Sequence, residues 1–153
     1  MAYPGELIIS RVRRGLLEVK DAVDWVTEET LRENSAYIID LNQKQLYDHG
    51  KDRNDTPLNP PYAEATVVIK RKKGQPTNRV TLKDTGYFYE QFDVQVNGGD
   101  YAVGSYAEYT RYLTAKYGNN IFGLNVENTE EFKQHIRPII IERLKEIYRQ
   151  NVE

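Results

Sequence analysis

From Gly5 to Tyr47 apolar residues recur in three- and four-residue steps, which is the spacing of one face of an α-helix. Ile8, Val12, Leu16, Val19, Val23 and Val26 set the stripe, and Leu31, Ile38, Leu41 and Leu46 continue it beyond a polar patch. The pattern predicts one long helix or two consecutive ones, with Thr27-Glu28-Glu29-Thr30 as the expected break or cap and His49-Gly50 as the stop. Gly15 weakens the first part. A helix this long must bury its apolar stripe against something. A core built from 153 residues need not cover all of it, which leaves a neighbouring subunit as a second candidate partner.

The rest of the chain is expected to be α+β: a small antiparallel sheet packed with the long N-terminal helix (or two) and a C-terminal helix. Residues 1–153 read as a single domain, with a helical part over 1–49, a loop-rich basic connector over 50–79, a sheet with a short helix over 80–124, and a C-terminal helix over 127–151. Prolines, aspartates and asparagines between Lys51 and Pro61 give the loop. Tyr62 to Lys73 is ambiguous, since Thr66-Val67-Val68-Ile69 favours a strand while Pro61 and Ala63-Glu64-Ala65 favour a helix in its first half. Phe88, Phe92, Val94 and Val96 suggest a strand, Asn97-Gly98-Gly99-Asp100 a hairpin turn, and Tyr101 to Gly104 the returning strand. Tyr106 to Lys116 reads as a helix closed by Gly118, and Ile121 to Leu124 as a further strand or turn. Asn128 and Glu131 form an expected capping box, and Pro138 should kink or divide the helix that follows. The expected core includes Phe88, Phe92, Phe122, Ile136, Ile140 and Leu144.

Composition narrows the function classes. No run of apolar residues reaches membrane-spanning length, and Met1 to Glu6 has no basic segment followed by an apolar one, so neither a span nor a secretory leader is expected. The chain has no cysteine, which removes disulfides, thiolate metal sites and a cysteine nucleophile. Net charge is −2, so no global field draws the protein to nucleic acid. The balance breaks locally at Lys70-Arg71-Lys72-Lys73, which is either a solvated face or a DNA-channel contact. Twelve tyrosines against one tryptophan and four phenylalanines suit surfaces that are covered on association, or simply edge a small core.

Residue types that carry chemistry are sparse. Asp84-Thr85-Gly86 spells the active-site triplet of aspartic proteases, in which two buried carboxylates share a proton. Here Lys83 and Tyr87 flank it and no second triplet follows, so a structural turn is expected, with Asp84 capping it and Gly86 allowing tight geometry. That turn would direct Phe88 and Phe92 inward and leave Tyr87, Tyr89 and Val94 as candidate subunit contacts. His49 and His135 stand apart, and Asp48, Asp52 and Asp55 read as solvated loop acids. No serine lies in a nucleophile-elbow frame and no glycine pair makes a phosphate loop. The expectation is a protein without catalytic residues, metal or cofactor.

Three short elements carry a resemblance. Leu82, Asp84, Thr85, Gly86, Phe88 and Phe92 form the first, with Gln91 where serine is common; Gly104, Ser105, Tyr106 and Ala107 form the second; Tyr117, Gly118, Phe122, Gly123 and Leu124 form the third. Gln45-Leu46-Tyr47, Gly50 and Lys72 to Thr77 add to it. Over roughly residues 40 to 150 the chain resembles bacteriophage tail-completion or neck (head–tail joining) proteins of the Mu-type virion-morphogenesis class and its long-tailed-phage relatives. The resemblance implies a non-enzymatic virion protein, made in the bacterial host cytoplasm and located in the neck or tail. It implies as partners copies of itself in a ring, often a hexamer, around the DNA channel, together with other neck and tail proteins. Such rings can join by sheet edges, for which the strand around Phe92 to Val96 is the candidate. Two alternatives stand beside this reading: a nucleic-acid-associated accessory protein using the 70–83 basic patch, and a tail-terminator or adaptor subunit.

Overall fold

A computed structural model describes residues 4–153; Met1–Tyr3, on which part of the leader expectation rests, lie outside them. The order is α1 (Pro4–Glu33), α2 (Ser35–His49), α3 (Glu64–Lys72), α4 (Tyr87–Glu90), β1 (Phe92–Asn97), β2 (Asp100–Ser105), α5 (Thr110–Tyr117), a 3₁₀ turn (Asn119–Ile121) and α6 (Val126–Val152). The two strands pair as a hairpin, so the fold is α+β with long helices at both ends. Two compact units divide the chain. Among the described residues one comprises 35–95 and 102–132; the other comprises 4–34, 96–101 and 133–153.

In the first unit α2 supplies the floor of the core. Leu46, Leu58, Val80, Phe88, Tyr89, Phe92, Ala107 and Ile121 form one buried cluster, with Phe122 half-buried against it. Phe88 and Phe92 meet edge to face at 5.1 Å, and Phe92 meets Phe122 at 5.4 Å, the tilted arrangement that ring quadrupoles favour. Polar side chains of α2 fasten the strandless segment after the 3₁₀ turn. Asn42, fully buried, donates to the Ile121 carbonyl (3.0 Å) and accepts from the Gly123 amide (2.8 Å). Gln45 donates to the Gly123 carbonyl (3.2 Å) and accepts from the Asn125 amide (2.8 Å). A segment with no ladder partner thus satisfies its backbone through two amide side chains.

In the second unit α1 packs against the C-terminal part of α6, which runs in the opposite order along it. Arg143 donates to the Thr30 hydroxyl (2.9 Å), and the Arg14 guanidinium donates to the Asn151 carbonyl (3.1 Å). Gly15 explains its place here. A methyl group on it would come within 2.6 Å of Val152 and 2.8 Å of the Tyr148 ring, so only glycine admits that approach. Ala22, Val26, Thr30, Leu31 and Ile136 are buried, whereas Ile140 and Leu144 are half-buried.

Several expectations need correction. The break after α1 falls at Asn34 and not at Thr27–Thr30, because the Thr30 hydroxyl donates back to the Val26 carbonyl within the helix and the Asn34 amide caps the Thr30 carbonyl. Thr66 to Ile69 is helical: Thr66 and Val67 are half-buried and Lys70 buried, a three-to-four spacing that overrides strand propensity. Phe88 lies on the single helical turn α4 rather than on a strand, and β1 begins only at Phe92. α5 starts at Thr110 rather than Tyr106, and of the two alternatives for residues 121–124 the bend is found and not the strand. α6 is capped by Asn125, whose side chain accepts from the Asn128 amide (2.8 Å), and not by an Asn128–Glu131 box; Glu131 instead accepts from the Tyr37 hydroxyl (2.9 Å). Pro138 sits inside one continuous helix on an exposed position, where water can reach the carbonyl that its missing N–H leaves over.

Candidate functional site

The basic run closes α3, where cations complement the negative end of the helix dipole. Its four residues point to different places. Lys70 is buried; its ammonium donates to the Lys83 carbonyl (3.0 Å) and to Gln75 (3.3 Å) and sits over the Tyr62 ring at 4.8 Å. Lys73 pairs with Asp84 at 2.7 Å. Arg71 and Lys72 are exposed. The run is therefore mixed: Lys70 is withdrawn from water, Lys73 is exposed but tied to Asp84, and Arg71 and Lys72 face water.

Asp84, expected to cap its own turn, faces Lys73 and Gln75 instead. The Lys73 ammonium, then the Gln75 amide, hold its carboxyl below the usual carboxylate range. The Thr85 hydroxyl takes the capping role by accepting from the Tyr87 amide (3.3 Å). Gly86 adopts φ +94°, the left-handed region that glycine enters without a Cβ penalty, and opens α4. An exposed carboxylate tied to a lysine has none of the water exclusion that a proton-sharing pair requires. Among the described residues no three histidines, aspartates or glutamates gather where they could hold a metal ion. Asp52 is spent on its own loop, accepting from the Asn54 and Thr56 amides, and Asp55 accepts from Asn125.

The helical turn at 87–90 also redistributes the tyrosines. Successive residues of a helix lie 100° apart, so Phe88 and Tyr89 both reach the core and only Tyr87 faces out. Tyr89 donates its hydroxyl to the Thr81 carbonyl, and burial pushes its phenol well above the usual value. As a surface contact it is thereby corrected to a core residue. Val94 is half-buried on β1. Tyr87 borders an open cleft of about 580 Å³ whose walls also carry Tyr62, Tyr109, Tyr117, Lys83 and Lys116. Tyr62 and Tyr109 had no site signal in the sequence beyond the surplus of tyrosine, Lys116 had none, and Tyr117 entered only through the resemblance. Within its walls Lys70 lies over the Tyr62 ring and Lys116 over the Tyr117 ring, so the cleft is aromatic with cations laid on two of its rings.

The second unit presents a different surface. On α1, Leu7, Ile8, Ile9, Val12, Leu16 and Leu17 are all exposed, Ile9 by 69% and Ile8 by 62%. Ile8, Ile9, Val12, Leu16 and Leu17 line one shallow apolar face with Arg13 and Lys20 at its edge. Side chains of this size left in contact with water forgo the stabilisation that covering them would give. Further along, Trp25, Val26 and Ile147 floor a groove between α1 and α6, rimmed by Glu29, Glu33, Glu146 and Arg143. Trp25, 54% exposed, drew no attention in the sequence because it lies off the apolar stripe.

Among the described residues no helix is long and apolar enough to cross a membrane. Compared with family models, curated proteins and solved structures, the chain matches none.

Proposed function

We propose that the chain is a structural subunit of a bacteriophage virion, acting in neck or tail completion by assembling with copies of itself as a ring around the DNA channel. The observation that carries this reading is the uncovered apolar face of α1. Five large aliphatic side chains in contact with water are worth about 1.5–3 kcal/mol each when fully buried, a strong drive toward association. The tyrosine-lined cleft supports it, since tyrosine is enriched where surfaces meet. The resemblance over the Asp84-Thr85-Gly86, Gly104-to-Ala107 and Tyr117-to-Leu124 elements supplies the virion context. Within the same class a tail terminator or adaptor differs only in its neighbours.

The alternative of a nucleic-acid accessory protein loses ground, because Lys70 and Lys73 are already engaged inside the chain. DNA contact in the ring would fall to Arg71 and Lys72 and would be weak, sequence-independent and lost with salt. Size-exclusion with light scattering and negative-stain electron microscopy test the reading. Closed rings of one stoichiometry support it, and a chain monomeric at every concentration, with no rings on the grid, refutes it.

A further inference from the structure

Two patches on the second unit are complementary in shape class and charge. The α1 face of Ile8, Ile9, Val12, Leu16 and Leu17 is an apolar centre edged by Arg13 and Lys20. The groove of Trp25, Val26 and Ile147 is an apolar centre edged by Glu29, Glu33 and Glu146, with Arg143 already bonded to Thr30 and Glu33. Both lie on one continuous helix, α1, with mid-points about fifteen residues apart, roughly 22 Å at 1.5 Å per residue. One molecule therefore cannot bring its own two patches together. Two copies of the α1 face meeting each other would oppose Arg13 and Lys20 to like charges, which is unfavourable when desolvated.

We propose that the basic-edged face of α1 seats in the acidic Trp25–Ile147 groove of a second copy, a head-to-tail contact. A contact between unlike patches uses each once per molecule and propagates, closing into a ring when the rotation permits. Tryptophan at the groove floor suits the role, since a large ring in a desolvated pocket with surrounding rim charges is the common form of an interface hot spot. This inference rests on the ring reading above and names the surfaces that would build it.

The absence of cysteine makes the test clean. Leu16→Cys and Ile147→Cys proteins are mixed under mild oxidation, and each is also oxidised alone. Linked pairs are expected in the mixture and not in either single variant. In parallel, Arg13→Glu should weaken association at least tenfold in light scattering, and combining it with Glu29→Arg should restore most of the loss. The single tryptophan gives an independent readout, with Trp25 emission expected to shift to the blue on assembly. Rings that form with Trp25 emission unchanged and no mixed disulfide overturn the proposal and leave the ring reading standing. Leu16→Cys linking to itself overturns it in favour of a two-fold contact. A chain that never associates overturns both.

Discussion

Replacing Asn42 with leucine removes the side chain that ties α2 to the segment Ile121–Gly123. The two side chains share the same branched heavy-atom skeleton, so the change tests hydrogen bonding first, with some crowding from the bulkier methyl groups. The Ile121 carbonyl is buried and loses its 3.0 Å donor; leaving such a group unmatched costs about 1–3 kcal/mol. The Gly123 amide loses its 2.8 Å acceptor but is half-buried, so water recovers part of that cost. Extra apolar burial by leucine offsets about 1 kcal/mol. The net is about 1–3 kcal/mol, or a fall of roughly 0.5–1.5 M in the urea midpoint at a slope near 2 kcal/mol/M. Urea unfolding followed by circular dichroism gives the midpoint, and amide exchange at Gly123 reports the bond itself. A variant within about 0.5 kcal/mol of the parent whose Gly123 amide stays protected would refute the clamp.

A Cβ at Gly86 would meet no atom nearer than 3.9 Å, so the expected cost of about 2–3 kcal/mol for Gly86→Ala comes from φ +94°; thermal melts of the alanine and valine variants check it, and an unchanged midpoint contradicts it. Lys70→Met should lower stability measurably by unpairing the Lys83 carbonyl, whereas Arg71→Met and Lys72→Met should not, as urea midpoints of the three variants will show. Tyr89 has a folded-state pKa raised above its unfolded value of about 10, so its contribution is whole below pH 10 and is lost as pH rises beyond it. Tyr89→Phe should therefore flatten the alkaline limb of the stability–pH curve, and an unaltered limb would show another group controls it. Asp84 has the opposite sign: its lowered pKa gives a small, solvent-screened contribution present above about pH 4 and lost on acidification, so Asp84→Asn should differ from the parent less at pH 2.5 than at pH 7.

What the sequence disclosed follows from whether each signal is local. The hairpin turn was legible because Gly98 needs φ +61° between two strands, and the end of α2 because Gly50 needs φ +60° after His49. The α+β class and the long terminal helices followed from periodicity that extends over many turns. Misread elements were those decided by distant partners. Lys70 reads as one of four surface cations, yet Lys83, Gln75 and Tyr62 from other segments draw it inside. Tyr89 reads as the outward residue of a strand, and becomes a core residue once the backbone at 87–90 coils. Asn42 carries no sequence signal, and Gln45 none that points to its clamping role, since an amide in a helix looks solvated until a strandless segment eighty residues on takes its hydrogen bonds.

The apolar seam of α1 makes the same point about surfaces. Ile9, Val12, Leu16, Val19, Val23, Val26 and Thr30 advance by alternating steps of three and four, the spacing of a coiled-coil seam. Val26 and Thr30 are closed, the latter by a hydroxyl that donates to Val26 and accepts from Arg143, while Ile9, Val12, Leu16 and Val23 are open to water. One uninterrupted pattern is thus used in two ways along one helix. Periodicity states that a face must be covered and is silent on what covers it, because the hydrophobic term depends on area removed from water and not on whose atoms remove it. The direction in which the cover changes is nevertheless written in charge. From residue 7 to 20 the helix carries Arg11, Arg13, Arg14 and Lys20 against Glu18, and from 21 to 33 Asp21, Asp24, Glu28, Glu29 and Glu33 against Arg32. A helix that is basic where it is uncovered and acidic beside its groove carries the charge complementarity on which the proposed head-to-tail contact between copies rests.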